Sequence, residues 1–188
     1  MYAGVMAEKQ GLEVIIEAAR LMQCDPRVRF VLAGTGVMRE RLEAMCSNLE
    51  NVTWLPLQPL DRLNALLNVA DVHLLPQRAD AADLVMPSKL TGMLASGRPV
   101  LGTARKGTQL GELLDALGVR CEPGDPKQFA DCLRALASDG ELRTRLGQRG
   151  RRYAEDHLAV DRILERFVEE ATRCCEEDLP TRRTEAND

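Results

Sequence analysis

The stretch that decides the fold is VRFVLAGTGVMRERLEAMCS, residues 28–47. Its first six residues, Val28–Ala33, form an apolar run that is typical of a buried β-strand. The run ends at Gly34-Thr35-Gly36, and Met38–Ser47 then shows the apolar spacing of a helix, with Arg39 on its outer face. A strand that passes through a glycine turn into a helix is the repeating unit of a parallel sheet. The stretch therefore predicts an α/β protein.

The same alternation of strands and helices runs through most of the chain. The predicted strands are Tyr2–Met6, Val28–Ala33, Val52–Leu55, Val72–Leu75, Pro99–Leu101 and Val119–Cys121. The predicted helices are Gly11–Met22, Met38–Ser47, Asp61–Ala70 (with Asp61 as its N-cap), Ser88–Leu94, Leu110–Leu117, Pro126–Ala137, Leu142–Ala154 and Asp161–Cys174. Repeated βα units with short connections predict a Rossmann-like, doubly wound parallel sheet with helices on both faces. We expect one domain over residues 1–176 and a charged, disordered tail over residues 177–188.

Composition limits the classes of protein that fit. The 188 residues suit one domain, and 45% apolar with 29% charged residues is a normal globular balance. The net charge of −4 argues against nucleic acid as a partner, because such binding needs a basic surface. None of the six cysteines has a His at metal-ligand spacing, so we expect no metal site. The two histidines, His73 and His157, are expected to be structural.

The sequence also predicts where the protein acts. It has no signal peptide and no long apolar run, which predicts a cytoplasmic protein. An arginine-rich helical segment, residues 143–152, is expected to be a solvated face, with peripheral membrane contact as the alternative. The chain begins directly at a predicted strand, as one half of a longer protein would.

Ligands of doubly wound sheets bind at the carboxyl ends of the strands. At one of these ends, Gly34 and Gly36 allow close approach of the backbone to a ligand and leave helix N–H groups free. A dinucleotide-binding fingerprint would have a third glycine at position 39, where this chain has Arg39. The sequence therefore disfavours a nicotinamide or flavin enzyme. A tight turn without a ligand remains an equal alternative.

A second strand end carries Pro87-Ser88-Lys89 at the predicted start of a helix. Proline suits the first turn of a helix, and the Ser88 hydroxyl and Lys89 ammonium add donors beside the positive end of the helix dipole. This pattern indicates an anion site, and the alternative is an ordinary helix start with a solvated lysine. Lys9 lies in the first strand-to-helix loop and is expected at the same edge of the sheet.

Four short patterns follow one another in a specific order. They are Tyr2-x-Gly4 with Glu8-Lys9-Gln10-Gly11-Leu12, then Phe30-Val31-Leu32-Ala33-Gly34-x-Gly36, then Ala70-Asp71-Val72, and finally Pro87-Ser88-Lys89-Leu90 with Met93-x-Ala95-x-Gly97-x-Pro99-Val100. Together they resemble the group 1, or family 4, glycosyltransferases, most nearly those of exopolysaccharide assembly such as the colanic-acid type. The similarity runs from about Tyr2 to Val168 and covers only the C-terminal, nucleotide-sugar-binding half of their two-domain GT-B fold.

The resemblance implies a retaining hexosyltransferase of surface polysaccharide synthesis. Its donor is a UDP- or GDP-sugar, and its acceptor is a saccharide or a lipid-linked molecule. Its partner is an N-terminal domain that binds the acceptor. The resemblance implies no metal ion and no cofactor besides the donor, and we assign no catalytic residue. It places the phosphate-binding lysine at Lys9, the base beside Leu57-Gln58, and the diphosphate beside Ser88-Lys89-Leu90. The full set at the nucleotide sugar is Lys9, Gly34, Thr35, Gly36, Leu57, Gln58, Asp83, Pro87, Ser88, Lys89 and Leu90.

The chain departs from the family pattern at three positions. Leu84 and Gly92 stand where many relatives carry a pair of Glu, with Asp83 as the substitute for the first of them. Val5 stands where many relatives have an Arg. These departures favour a second interpretation, a non-catalytic nucleotide-binding or interaction domain derived from the same fold.

A third interpretation is a nucleotide-sugar epimerase or reductase. The chain lacks both the glycine fingerprint and the Tyr-x-x-x-Lys pair that this class needs. The leading interpretation therefore stays a glycosyltransferase domain. Without its acceptor half, we expect the chain to bind the donor but not to transfer the sugar.

Overall fold

The computed structural model describes residues 1–81 and 86–177 and confirms the α/β prediction. The strands in these ranges are β1 (Tyr2–Ala3), β2 (Phe30–Ala33), β3 (Val52–Leu55), β4 (His73–Leu75), β5 (Val100–Thr103) and β6 (Val119–Cys121). The helices are α1 (Glu13–Leu21), α2 (Arg39–Met45), α3 (Leu63–Val69), α4 (Lys89–Ala95), α5 (Gln109–Leu117), α6 (Pro126–Ser138), α7 (Gly140–Tyr153) and α8 (Val160–Glu177). Short 3₁₀ turns occupy Glu8–Gln10, Leu60–Arg62 and Ala79–Ala81. A short π-helix, Ala154–Leu158, follows α7 and leads to α8.

The strands form two parallel groups that meet at β1 and β4. β2 pairs with β1 and β3, and β5 pairs with β4 and β6. The N–H of Leu74 donates to the carbonyl of Met1 over 2.8 Å, which links the two groups. The spatial order is therefore β3-β2-β1-β4-β5-β6, and the order along the chain reverses between β1 and β4. In doubly wound sheets the ligand crevice opens at this point, beside the carboxyl ends of the strands.

Helices cover both faces of the sheet. α1, α2 and α6 contribute to the largest apolar cluster together with Leu74 of β4. α4 and α5 pack on the opposite face with Leu75 of the same strand. Successive side chains of a strand point to opposite faces, so both residues are apolar because both faces are covered. α3 packs against Met1 and Ala33 in a smaller third cluster.

The first strand is shorter than the sequence predicts. It ends at Ala3 and not at Met6, because Gly4 has a φ of +134° and turns the chain out of the sheet. The segment that follows, residues 4–7, stays at the carboxyl edge and leads into the 3₁₀ turn Glu8–Gln10.

The expected N-cap Asp61 does not cap α3. Asp61 lies inside the 3₁₀ turn Leu60–Arg62, and α3 follows at Leu63 without a side-chain cap. A capping carboxylate must sit outside the helix and accept an N–H of its first turn. Asp139 has that arrangement before α7, where it accepts the N–H of Leu142 over 2.7 Å.

The last helix stands apart from the apolar core. α8 carries five large apolar side chains that are 46–71% exposed, namely Val160, Ile163, Leu164, Phe167 and Val168. Within residues 1–81 and 86–177, no helix is long and apolar enough to cross a membrane. Residues 178–188, most of the predicted tail, lie outside the described residues.

Candidate functional site

The loops after β1 and β4 enclose a cavity of about 560 Å³ at the carboxyl edge of the sheet. The two loops are joined, because the Arg78 N–H donates to the Lys9 carbonyl over 3.1 Å. The Arg78 side chain also covers Gly11, where an added Cβ would lie 3.1 Å from its Cγ. The cavity is lined by Tyr2, Glu8, Lys9, Gln10, Leu75, Pro76, Gln77, Arg78, Asp80, Met86, Pro87, Ser88 and Lys89.

Lys89 is the most constrained cation in this cavity. As the first residue of α4, it lays its side chain over Gly4, where an added Cβ would lie 2.6 Å from the Lys89 Cε. Its Nζ donates to the Tyr2 hydroxyl and, over 3.4 Å, to the Val5 carbonyl. The Nζ also lies 4.1 Å from the centre of the Tyr2 ring, a cation–π contact. Burial lowers the pKa of Lys89 to about 8, and the positive charge of Lys9 adds to this shift.

Lys9 reaches the same cavity from a rigid turn. The N–H of Ala7 donates to the side-chain oxygen of Gln10 over 3.0 Å, and the Gln10 N–H donates back to the Ala7 carbonyl over 3.2 Å. Gly11 closes the turn with a φ of +59°. The Lys9 side chain is exposed, so the structure holds its backbone firmly and leaves its ammonium in solvent.

The glycine turn after β2 lies beside this cavity and is not part of its lining. An added Cβ at Gly34 would overlap the carbonyl oxygen of Gly4, and one at Gly36 would overlap that of Met6. The N–H of Met6 donates to the Thr35 carbonyl over 2.8 Å. The two glycines therefore have a structural role without any ligand: they let residues 4–6, over which Lys89 lies, pack closely against this turn.

Arg39 is a residue that the sequence placed wrongly. The helical pattern put it on an outer face, but its guanidinium donates to the carbonyls of Gly34 and, over 2.9 Å, Leu55. It also pairs with Glu43 at 2.8 Å and lies 5.5 Å from the centre of the Trp54 ring. These carbonyls end β2 and β3, so Arg39 braces the edge where the ligand crevice opens. No local sequence signal marks this role.

The remaining predicted residues divide between the cavity and other places. Pro87 and Ser88 line the cavity, whereas the Leu90 side chain is buried in the core under α4. Leu57 is 63% exposed, and Gln58 donates to the carbonyl of Pro56 over 3.0 Å; neither lines the cavity. Asp83 lies outside the described residues, and so does Leu84.

Sequence reasoning missed several cavity residues. Tyr2 was predicted as a strand residue and as part of the Tyr2-x-Gly4 pattern, but nothing in the local pattern shows that its hydroxyl meets a lysine 87 positions later. Glu8 and Asp80 place carboxylates on the cavity wall, and Asp80 pairs with Arg78 at 3.1 Å. Gly92, where relatives carry a Glu, faces α3 instead, since an added Cβ would lie 3.3 Å from a Leu67 methyl group.

Neither histidine of the chain lines the cavity. His73 is fully buried, its Nε2 lies 3.0 Å from the Ser96 hydroxyl, and burial lowers its pKa to about 4. His157 is exposed in the π-helix, and the centre of its ring lies 4.7 Å from that of Tyr153. Among the described residues, no three His, Cys, Asp or Glu side chains come together as a metal site would need.

Comparison with known proteins identifies the family. The family described as Glycosyl transferases group 1 matches residues 1–139, and the chain belongs to it. A relative named as a colanic acid biosynthesis glycosyl transferase, WcaI of Escherichia coli K12, is 38% identical over 173 residues, which cover 89% of this chain and 41% of the relative. The chain therefore spans less than half the length of this relative.

Solved structures agree on the fold. HepE of Anabaena in complex with UDP superimposes with a TM-score of 0.74 at 18% identity, over 92% of this chain and 48% of HepE. The C-terminal domain of LpcC of Francisella tularensis gives a TM-score of 0.70 at 18% identity, over 85% of this chain and 86% of that domain. The structural neighbours are GT-B glycosyltransferases, so the predicted fold family is confirmed.

Proposed function

We propose that this chain is the donor-binding domain of a retaining glycosyltransferase and that it holds a nucleotide sugar in the cavity between the β1 and β4 loops. One observation carries the proposal: Lys9 and Lys89, from two separate elements, converge on one cavity at the carboxyl edge of the sheet. Two ammonium groups in one cavity suit a diphosphate. HepE, which shares the fold, has been crystallised with UDP and with UDP-glucose.

The chemistry of transfer explains why cations matter here. When the bond between the sugar and the diphosphate breaks, negative charge develops on the leaving phosphate oxygen. A cation that is already in place stabilises this charge without reorganising at the moment of reaction. Lys89 fits that role best, because Tyr2 and Val5 fix its ammonium while Lys9 remains solvated.

The cavity also offers groups for the hydroxyls of a sugar or ribose. Glu8 and Asp80 supply carboxylates, and Gln10 and Gln77 supply amides, all on its wall. Carboxylates accept hydrogen bonds from hydroxyl donors. We propose that they replace the Glu pair that relatives place at positions 84 and 92.

The acceptor side is proposed to come from a second domain. The chain covers 41% of WcaI and 48% of HepE, and it matches a domain that is itself named as C-terminal. Holding two reactants in place contributes about 7–11 kcal/mol to lowering a barrier. We therefore propose that this chain binds the donor and transfers the sugar only with an acceptor domain, to a saccharide or lipid-linked acceptor of a surface polysaccharide.

Calorimetry with UDP, GDP and NAD tests the donor site. We expect one nucleoside diphosphate to bind and NAD not to bind, since the chain lacks the dinucleotide fingerprint. Binding of NAD alone, or of none of the three, would overturn the proposal.

A chimera tests the acceptor half. The N-terminal part of WcaI is joined to this chain and incubated with UDP- and GDP-sugars and lipid-linked acceptors, and product mass is followed. We expect turnover by the chimera and at most slow donor hydrolysis by the chain alone. Robust acceptor-dependent turnover by the chain alone would overturn the proposal that a second domain must bind the acceptor.

A specific observation favours a second candidate function, a non-catalytic nucleotide-binding domain. Val5 replaces an Arg of many relatives; its side chain is 57% exposed, and its carbonyl lies 3.4 Å from the Lys89 Nζ, so an Arg here would add charge near the site. In that case the chain binds the nucleoside diphosphate, yet the chimera shows no turnover. Restoring the charge with Val5→Arg in the chimera separates the two functions, because only an impaired enzyme gains activity from it.

A further inference from the structure

The residue beneath Lys89 is Tyr2, a fully buried tyrosine at the start of the chain. Its hydroxyl donates to the Val5 carbonyl and accepts a hydrogen bond from the Lys89 Nζ. Its ring lies 4.1 Å from the same Nζ. One side chain therefore contacts the ammonium in two ways, through an oxygen lone pair and through the face of the ring.

These contacts leave the ammonium with a free donor. An ammonium has three N–H groups. Among the described residues, one of them is directed at Tyr2 and one at the Val5 carbonyl. The third remains for a ligand in the cavity that Tyr2 and Lys89 both line.

We propose that Tyr2 is a positioning residue: its hydroxyl and ring hold the Lys89 ammonium against Gly4, direct its remaining N–H to the ligand, and set the pH range over which the site binds a diphosphate. The inference rests on the proposed donor site and goes further, because it assigns a role to a residue that contacts the ligand only through Lys89.

In the described part of the chain, the titratable and charged groups that share the cavity with Lys89 come from three elements. β1 contributes Tyr2, the 3₁₀ turn contributes Glu8 and Lys9, and the loop after β4 contributes Arg78 and Asp80, which pair with each other at 3.1 Å. Burial raises the pKa of Tyr2, so its hydroxyl stays protonated near neutral pH. Lys89 is thus the group whose charge changes just above neutrality, since its pKa is about 8.

The sign of the pH dependence follows from this arrangement. A diphosphate binds the ammonium and not the amine, so affinity is complete below the free-state pKa of about 8 and falls as the pH rises through it. The Tyr2 hydroxyl stabilises the charged form by accepting its hydrogen bond. Removing that oxygen lowers the pKa of Lys89 further, and the fall in affinity then begins at a lower pH.

The test compares Tyr2→Phe with Tyr153→Phe, since these are the two tyrosines of the chain. UDP and GDP affinities are measured by calorimetry between about pH 7 and pH 9. We expect Tyr2→Phe to weaken binding about three- to tenfold at pH 8 and to shift the fall in affinity to lower pH, because a lower pKa of Lys89 leaves a smaller fraction of it charged at pH 8. Tyr153→Phe should match the wild type. A Tyr2→Phe profile equal to that of Tyr153→Phe would overturn the inference.

A measurement without nucleotide keeps the inference separate from the donor site. The chain has four lysines, Lys9, Lys89, Lys106 and Lys127, so the side-chain carbon signals of Lys89 can be assigned and titrated by NMR. We expect the Lys89 titration to move to lower pH in Tyr2→Phe. If it moves while no nucleotide binds, the proposed function fails and the coupling stands; if it does not move while nucleotide binds, the inference alone fails.

A second variant covers the case in which Tyr2→Phe does not fold. Lys89→Arg places a guanidinium, which keeps its proton throughout this range, in the same position. Its affinity for the nucleoside diphosphate should stay level between about pH 7 and pH 9, where the wild type loses affinity. The same fall with pH in Lys89→Arg as in the wild type would show that Lys89 is not the responsible group, and the inference would be lost.

Discussion

The two edges of the sheet each bury a basic group, and the outcomes differ. At the carboxyl edge, Lys89 has the Tyr2 hydroxyl, the Val5 carbonyl and a ring face, and its pKa is lowered only to about 8. At the amino edge, His73 is fully buried, its Nε2 lies 3.0 Å from the Ser96 hydroxyl, and burial lowers its pKa to about 4.

The difference shows what decides whether a buried base keeps its charge. Burial disfavours the charged form of any base, and oxygens and ring faces offset that cost. The carboxyl edge offers enough of them, and an opening to solvent, to keep a cation near neutral pH. The amino edge does not, so His73 is neutral there. The carboxyl edge therefore keeps a partly buried cation at Lys89, whereas the base at the amino edge, His73, has lost its charge.

A large effect is expected in acid, and it comes from the amino edge. Burial lowers the pKa of His73 from 6.5 to about 4. The unfolded state therefore binds this proton more readily than the folded state, so the contribution of His73 to stability is complete above about pH 6.5 and is lost as the pH falls toward 4. The loss amounts to roughly 3 kcal/mol. Urea unfolding across this pH range measures it.

One substitution assigns this loss to His73. His73→Gln should remove the loss between pH 6.5 and pH 4. His157→Gln serves as the control, because His157 is exposed. A free energy of unfolding that falls equally between pH 6.5 and pH 4 in His73→Gln and in the wild type would contradict the buried, neutral His73.

An effect of similar size is expected from crowding the carboxyl edge. Gly34→Ala puts a Cβ into the carbonyl oxygen of Gly4 at a φ of +141°. We expect a loss of about 4 kcal/mol, since the backbone beneath Lys89 must move. Gly124→Ala is the matched control: its φ is +80° and nothing lies within 4 Å of the added Cβ, so it should cost roughly 1 kcal/mol. If denaturant unfolding gives the same loss of unfolding free energy for both variants, the contact between Gly34 and the Gly4 carbonyl does not restrict position 34.

A smaller effect is expected from removing the cations one at a time. Lys89→Met should weaken UDP or GDP binding about ten- to a hundredfold, because a hydrogen bond to a charged group contributes about 1.5–3 kcal/mol. Lys9→Met should weaken it about threefold to tenfold, because water screens an exposed charge. Lys127→Met, on the surface of α6, is the control for calorimetry. A larger loss for Lys9 than for Lys89 would reverse the roles given to the two lysines.

The smallest effect is expected from the cavity wall. Asp80→Asn breaks an exposed ion pair with Arg78, and such pairs contribute little to stability, so the unfolding midpoint should not change measurably. Diphosphate binding should weaken by about twofold, because the carboxylate is proposed to accept a hydrogen bond from a ligand hydroxyl and the released Arg78 charge offsets part of that loss. Stronger binding in Asp80→Asn would contradict the proposed replacement of the Glu pair.

The sequence by itself predicted the α/β class, strands close to those observed, and the edge of the sheet where Lys9, Ser88 and Lys89 line one cavity. β3, for example, has the predicted bounds Val52–Leu55. Such features follow from local hydrophobic periodicity and from glycines and prolines, which act within a few residues of themselves. The meeting of Lys9 with Ser88-Lys89 also followed, because topology brings parallel strand ends to one edge.

Only the tertiary structure decided what each of these residues contacts. Lys89 contacts Tyr2, which is 87 positions away in the sequence. Arg39 donates to the carbonyls of Gly34 and Leu55, at the ends of β2 and β3. Position 34 must be glycine because a Cβ there would overlap the carbonyl oxygen of Gly4. The physical reason is that burial, hydrogen-bond partners and pKa depend on groups that fold next to one another, and a local pattern carries no record of them. Periodicity predicts which face of an element is apolar, whereas the state of a charge is set by everything that surrounds it.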